Sequence, residues 1–234
     1  MQLFYNPILQ PDESKFCFDK NESRHIIKVL RKEIGDNLLI TNGLGCFFEA
    51  TIVSNNQNKC DVKINSVTVV PRKDYNIHLA VAPTKTNDRY EWFLEKATEI
   101  GVDTITPIIC SRSERKVIKA ERYEKIIQAA AKQSLRAYFP ILNPAVRFSE
   151  FIKNNTIKER FIAHCLEDQK VHLKDAFSIE KDVLILIGPE GDFTQEEIKM
   201  AQESGFKAVS LGDARLRTET AAIAACHTIT LCNA

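Results

Sequence analysis

The 234-residue sequence has no apolar stretch approaching the ~20 residues that cross a bilayer as a helix. Its first residues, Met1-Gln2-Leu3-Phe4-Tyr5-Asn6-Pro7, lack a charged segment followed by an apolar one. A cytoplasmic protein is therefore the expectation. The cysteines Cys17, Cys46, Cys60, Cys110, Cys165, Cys226 and Cys232 form no Cys-x-x-Cys pair and no zinc-like Cys/His cluster, so they read as small buried hydrophobes in a reducing compartment. Charge of one sign is not in excess either: 32 Lys and Arg meet 31 Asp and Glu, a net charge of +1, and any nucleic-acid site must then be a local basic patch. Low-complexity runs and solenoid repeats are missing from a composition of 44% hydrophobic and 27% charged residues, which excludes disorder as the main state. A chain of this length holds one large domain or two modest ones, and can bury enough core to fold without metals or disulfides.

Two nucleotide fingerprints are also lacking. There is no Gly-x-x-x-x-Gly-Lys-Ser/Thr and no Gly-x-Gly-x-x-Gly opening a helix, so nucleoside triphosphates and dinucleotides lose support. His25, His78, His164, His172 and His227 show no metal-ligand spacing, and no metal is expected. His164 alone falls at a strand end facing the edge where ligands bind.

What is present changes texture near Val70-Pro71-Arg72-Lys73-Asp74, where a domain boundary is expected, giving domains 1–72 and 73–234. Before it, Asn21 can cap a short helix carrying His25, Ile26, Val29 and Leu30 at helical spacing. Strand-like runs follow at 37–41, 46–54 and 59–70, with Gly43 and Gly45 punctuating the first pair like a hairpin, which suggests a small β-barrel. After the boundary strands alternate with helices, the pattern of a mostly parallel sheet covered on both faces. Ile77, Leu79 and Val81 begin it. Asn87 can cap a helix closed by Gly101, a strand is expected at 104–110, a long helix at 121–139 stopped by Pro140, and a strand at 160–165. The run Val183-Leu184-Ile185-Leu186-Ile187 is apolar throughout, as in a strand buried on both faces. Thr194 and Glu197 form a capping box for a helix ending before Gly205, and a strand at 207–211 precedes a helix at 218–231 with almost no polar face. Such a helix must be covered by its own domain or by a partner subunit.

Two strand-to-loop transitions carry the chemistry, Ile187-Gly188-Pro189-Glu190-Gly191-Asp192-Phe193 and Leu211-Gly212-Asp213-Ala214-Arg215-Leu216-Arg217-Thr218-Glu219. Both lie at carboxyl ends of strands, where glycines admit a ligand to backbone amides and helix starts offer unpaired N–H groups. One such loop is more simply a tight turn; two in successive strand–helix units point to a site. Glu190 caps an amide, or it receives a cationic ligand or orients substrate. Arg217 stands at a helix start, where the dipole disfavours a cation, and so points to an anionic partner. Basic residues cluster as Lys28-Arg31-Lys32, Arg72-Lys73, Arg112-Arg115-Lys116-Lys119 and Lys132-Arg136.

The segment Lys85-Thr86-Asn87-Asp88-Arg89, with Glu91, Lys96, Thr98-Glu99 and Gly101-Val102, then Glu114-Arg115, Gln133-Ser134, Gly188-Pro189-Glu190-Gly191 and Leu216-Arg217-Thr218-Glu219-Thr220-Ala221, resembles the catalytic domain of the RsmE family. His25, Val29-Leu30-Arg31 and Gly35-Asp36 are similar to its opening motif. Asp192 stands where the family commonly shows a second glycine, Ala214-Arg215 where it commonly shows Arg-Ile, and Lys132 where it commonly shows glutamate.

The resemblance implies an S-adenosylmethionine-dependent enzyme that methylates N3 of a uridine in small-subunit (16S) ribosomal RNA. It implies an α/β protein, with an N-terminal PUA-like β-barrel that helps hold RNA and a C-terminal SPOUT domain threading a deep trefoil knot, and a homodimer formed through the last helix. Carried onto this sequence, the cofactor contacts are His164, Cys165, Ile187, Gly188, Pro189, Glu190, Gly191, Leu211, Gly212, Leu216, Arg217 and Thr218. Arg217 is the candidate to stabilise the anionic uracil, with Glu190 and Glu219 as candidate base or orienter. Arg31, Lys85, Arg89, Arg112, Arg115 and Arg136 are the candidate RNA contacts. An RNA-binding or ribosome-assembly protein without catalysis, and another SPOUT methyltransferase acting on a different RNA or position, are the competing readings. Titration with S-adenosylmethionine separates the first, and product analysis the second.

Overall fold

Period-two alternation of apolar residues builds the first sheet. A computed structural model describes residues 2–167 and 169–234, and the chain divides into two units, Met1–Arg72 with Ala131–Phe139, and Lys73–Ala130 with Pro140–Ala234. In the first unit β1 (Leu3–Tyr5), β2 (Lys15–Cys17), β3 (Asn37–Thr41), β4 (Cys46–Asn56) and β5 (Lys59–Val69) lie in the order β1-β3-β4-β5-β2. Phe48, Ala50 and Ile52 alternate with outward residues on β4, as do Cys60, Val62 and Ile64 on β5, and they bury one face against Phe4, Phe18 and Ile26. Asp19, not the expected Asn21, caps α1 (Lys20–Arg24): its backbone is extended and its Oδ1 accepts from Glu22 N at 2.8 Å, which leaves Asn21 inside the first turn. A π-helical turn, His25–Val29, follows, and Arg31 closes it in the left-handed region at φ +53°, where glycine is usual.

The second unit contains β6 (Ile77–Val81), α2 (Asn87–Ile100), β7 (Thr104–Ile109), α3 (Ala120–Gln133) up to Ala130, β8 (Ile141–Leu142), β9 (Val146–Arg147) and α4 (Phe148–Phe151). It continues with β10 (Glu159–Ala163), β11 (Val171–His172), α5 (Leu173–Ala176), β12 (Val183–Ile187), α6 (Gln195–Glu203), β13 (Lys207–Ser210) and α7 (Thr218–Cys232). The strands run in the order β11-β13-β10-β12-β6-β7-β8, with β9 also on β7, and every pairing is parallel. Central β12 shows why its sequence does not alternate. Val183, Ile185 and Ile187 enter a core with Phe93 of α2 and Ala222 and Ile229 of α7, whereas Leu184 and Leu186 enter another with Phe148, Ile198 and Phe206. Each such side chain contributes roughly 1.5–3 kcal/mol relative to exposure. Among the described residues no helix is long and apolar enough to cross a membrane.

Two expectations about helix ends are corrected. Thr86 is the residue before α2, extended at φ −98°, ψ 137°, and Asn87 is already the first helical residue. The long helix expected at 121–139 ends at Gln133 in α3. Leu135 turns left-handed at φ +53° and Arg136 N donates back to Ala131 O at 2.9 Å. Residues 137–139 then pair with the β3–β4 turn, Gly45 N donating to Ala137 O and Phe139 N to Gly43 O, each at 2.9 Å. Gly45, at φ +105°, admits the Tyr138 ring where a Cβ would collide with it. Pairing with a distant turn, which helical periodicity cannot reveal, stops the helix before Pro140.

His78 of β6 is 9% exposed, with Nε2 2.8 Å from Thr106 Oγ1, and burial pushes its imidazole down from an ordinary 6.5 to about 4. The folded protein therefore holds His78 neutral where the unfolded chain would bind a proton. Stability is full above pH 6.5 and falls as pH drops from there to about 4, by about 3 kcal/mol at most. Urea unfolding of the parent and of His78→Gln should show a stability gap that narrows between pH 7 and pH 4.5; a constant gap would remove His78 from the pH response.

Candidate active site at the carboxyl edge of the parallel sheet

Because the strands are parallel, the loops leaving β10, β12 and β13 emerge on one edge. In the sheet β10 lies between β12 and β13 and pairs with both. Two adjoining cavities, of about 420 and 230 Å³, open among these loops. The larger is walled by His164 and Cys165 after β10 and by Leu211 and Gly212 after β13. The smaller is walled by Ile187, Gly188, Pro189 and Glu190 after β12 and by Arg217 and Thr218 at the start of α7. Ala163, Cys165, Arg215, Leu216 and Ala221 line both.

Gly191 lines neither. Its carbonyl accepts from Arg112 Nη1 at 2.8 Å, and a Cβ there would touch the Arg112 side chain at 3.4 Å, so it serves the back of the loop. At Gly188 a Cβ would stand 3.1 Å from the Phe193 ring, and the Gly188 carbonyl accepts from the buried Thr218 hydroxyl at 2.9 Å. That bond pins the β12 loop to the first turn of α7.

The acidic candidates separate. Glu190 lines the smaller cavity, and its Oε1 accepts from Lys85 N at 2.8 Å, holding the loop after β6. Glu219 is 7% exposed, lines neither cavity, and has its Oε1 3.8 Å from Arg89 Nε. Arg217 precedes α7 with extended backbone (φ −73°, ψ 158°), is exposed at the smaller cavity, and makes no ion pair among the described residues.

The basic candidates of this unit do structural work around the same loop. Arg115 donates through Nε to Thr84 O at 3.1 Å and through Nη2 to Lys85 O at 2.8 Å, while Lys85 Nζ meets Glu114 Oε2 at 2.9 Å. Arg31 and Arg136 belong to the first unit.

Three further residues contribute to the site without a signal in the sequence. Lys170 Nζ donates to His164 O at 2.6 Å and Leu166 O at 2.7 Å, Arg215 lines both cavities, and Asp192 Oδ2 accepts from Cys165 N at 2.8 Å. All three act through spatial neighbours that spacing does not disclose. Burial, reinforced by the Asp192 carboxylate, pushes the Cys165 thiol up, so it stays protonated at neutral pH and is no activated nucleophile.

The RNA methyltransferase domain family matches residues 71–230, and the RNA methyltransferase PUA domain family matches residues 18–65. A ribosomal RNA small subunit methyltransferase E from Rickettsia conorii is 30% identical over 217 residues, which cover 92% of this chain and 88% of the relative. Among solved structures, a probable rRNA-methyltransferase from Porphyromonas gingivalis superposes with a TM-score of 0.90 at 41% identity, covering 99% of each chain. A ribosomal RNA small subunit methyltransferase E from Neisseria gonorrhoeae, bound to S-adenosyl methionine, superposes with a TM-score of 0.86 at 27% identity, covering 99% of this chain and 97% of that one. An N-terminal PUA domain joined to a parallel α/β domain thus places this chain in the ribosomal RNA small subunit methyltransferase E family.

Proposed function

We propose that the chain transfers a methyl group from S-adenosylmethionine to N3 of a uridine in 16S ribosomal RNA. One observation carries the reading: three loops, after β10, β12 and β13, converge at one sheet edge on two adjoining cavities. The larger is of small-molecule size, and its walls suit a nucleoside-like ligand, with main-chain groups at Leu211 and Gly212 and little side chain at Ala163 and Ala221, while Gly188 lines the smaller. The Neisseria gonorrhoeae relative, bound to S-adenosyl methionine, supports this cofactor. When bound, S-adenosylmethionine supplies an electrophilic methyl group on a sulfonium. His164, Cys165, Leu211 and Gly212 would hold it on one side, and Ile187, Gly188, Pro189, Leu216 and Thr218 on the other.

The remaining work falls to the protein. Uridine N3 lies on the Watson–Crick edge and carries a proton, so the base must enter unpaired or flipped. In-line transfer requires the nitrogen to be held at near-attack distance, which the β12 loop and the start of α7 can impose. Losing the N3 proton leaves negative charge on the ring, and Arg217 faces it across the smaller cavity. Glu190, on the same wall, receives the proton or orients the base; Glu219 acts from behind, through Arg89. Lys85, Arg89, Arg112 and Arg115, with Arg31 and Arg136 of the first unit, contact the RNA backbone. Residues 1–72 form a PUA-like barrel, residues 73–234 a SPOUT domain with a trefoil knot, and the enzyme works in the cytoplasm on 16S rRNA or the small ribosomal subunit.

A homodimer through α7 belongs to the same reading, since the helix has almost no polar face and leaves Ile223 and Ala224 half-buried and Leu231 exposed. Sedimentation should give a dimer at micromolar concentration, and a stable monomer would refute it. Mapping the modified base in 16S rRNA and in small subunits treated with the purified protein tests the reaction itself. N3-methyluridine is expected; methyl on another nucleotide, or none, overturns the reading.

A further inference from the structure

Past the last paired residues of β10 and β12, Ala163 and Ile187, two loops continue into the site. The β12 loop turns back at Asp192, whose N donates to Pro189 O at 2.9 Å and whose φ is +61°. Glycine adopts this left-handed backbone freely; aspartate is among the few other residues that tolerate it. The side chain has a use there. Oδ2 accepts from Cys165 N and Oδ1 from Phe193 N, each at 2.8 Å, so both carboxylate oxygens are engaged by main-chain amides. One of those amides belongs to the neighbouring loop, and Cys165 lines both cavities. Lys170 also holds this loop, donating to the His164 and Leu166 carbonyls. Charge-assisted bonds of this kind are shorter and about twice as strong as neutral ones.

We propose that Asp192 is a positioning residue: its carboxylate staples the β10 loop to the β12 loop and so preforms the wall that the two cavities share. The staple itself is independent of any ligand, while its consequence for the cofactor rests on the function proposed above. Glycine at this position would relieve the backbone but leave Cys165 N without its acceptor. Asparagine would tolerate the same backbone and retain one acceptor oxygen for that amide.

Two measurements on the full chain test this. In ligand-free protein, amide hydrogen exchange at Cys165 should be about tenfold faster in Asp192→Gly than in the parent, and within about threefold of the parent in Asp192→Asn. In calorimetric titration with S-adenosylhomocysteine, Asp192→Gly should bind about tenfold more weakly and Asp192→Asn should recover most of the loss. The effect on methylation should fall on KM for S-adenosylmethionine rather than on kcat. Unchanged exchange at Cys165 in Asp192→Gly would overturn the staple, and faster exchange with unchanged affinity would overturn its role in preforming the wall. A parent protein that takes up no S-adenosylhomocysteine would overturn the cofactor reading instead, with exchange still deciding the staple.

Discussion

Arg217→Ala should lower turnover on 16S rRNA by about a hundredfold or more while leaving affinity for S-adenosylhomocysteine within about threefold, the signature of charge stabilisation confined to the transition state. The fold gives this arginine little reason to be where it is. It stands at the amino end of α7, makes no side-chain cap, and meets no carboxylate among the described residues. A cation at that end is disfavoured by about 0.3–1 kcal/mol, so its removal should leave the melting temperature unchanged or slightly raised. Arg217→Lys should fall between parent and alanine, because a lysine keeps the charge but not the planar fork that can face a uracil oxygen. Single-turnover methylation at saturating cofactor is the deciding measurement. Parent-like turnover in the alanine variant would remove Arg217 from the chemistry, and a parallel fall in cofactor affinity would reassign it to cofactor binding.

Much of the second unit was legible because its signals are local. The unbroken apolar run 183–187 is β12 residue for residue, Gly101 closes α2 at φ +118°, and the Thr194–Glu197 capping box opens α6. The short strands β1, β2, β8, β9 and β11, of two or three residues each, were not legible. Too short for a period to register, they exist because a neighbouring strand offers hydrogen bonds. The end of α3 failed for a related reason. Residues 134–139 look helical by themselves, and 137–139 are drawn away to pair with Gly43 and Gly45.

At the site the glycine-bearing loops were visible in sequence, since clustered glycines at strand ends have few other uses. The ties that shape them were not. Asp192 to Cys165, Arg112 to Gly191, Glu190 to Lys85 and Thr218 to Gly188 span 27 to 105 residues of chain, and each depends on the order of strands in the sheet. The strands β12 and β13, successive along the chain, are separated in the sheet by β10, so the loop after β10 comes between theirs.

Glu197 joins a legible feature to an illegible one, and Glu197→Ala should be strongly destabilising although it touches neither cavity. The residue is 3% exposed. Its Oε2 accepts from Thr194 N at 2.9 Å, completing the box that the sequence announced, and its Oε1 accepts from Ser111 N at 2.8 Å, a contact 86 residues away. Alanine strips the acceptor from two part-buried amides, while the Thr194 hydroxyl still accepts from the main-chain N of residue 197; at about 1–3 kcal/mol for a buried group left unsatisfied, a total near 3 kcal/mol is expected. For a chain of this length that is a fall of about 6–12 °C in melting temperature. Glu197→Gln should recover only part of it, since its amide has one acceptor oxygen and would turn an N–H donor toward the other main-chain donor. The loss should also reach the site. Ser111 adjoins Arg112, whose guanidinium holds the Gly191 carbonyl at 2.8 Å, so loosening residues 110–113 slackens the β12 loop from behind. S-adenosylhomocysteine should therefore bind about threefold to tenfold more weakly, although Glu197 lines neither cavity. Calorimetric unfolding, with titration well below the melting temperature, checks both halves. A shift under about 2 °C would mean that water replaces the carboxylate at these amides, and a large shift with parent-like binding would cut the link from Ser111 to the cofactor loop.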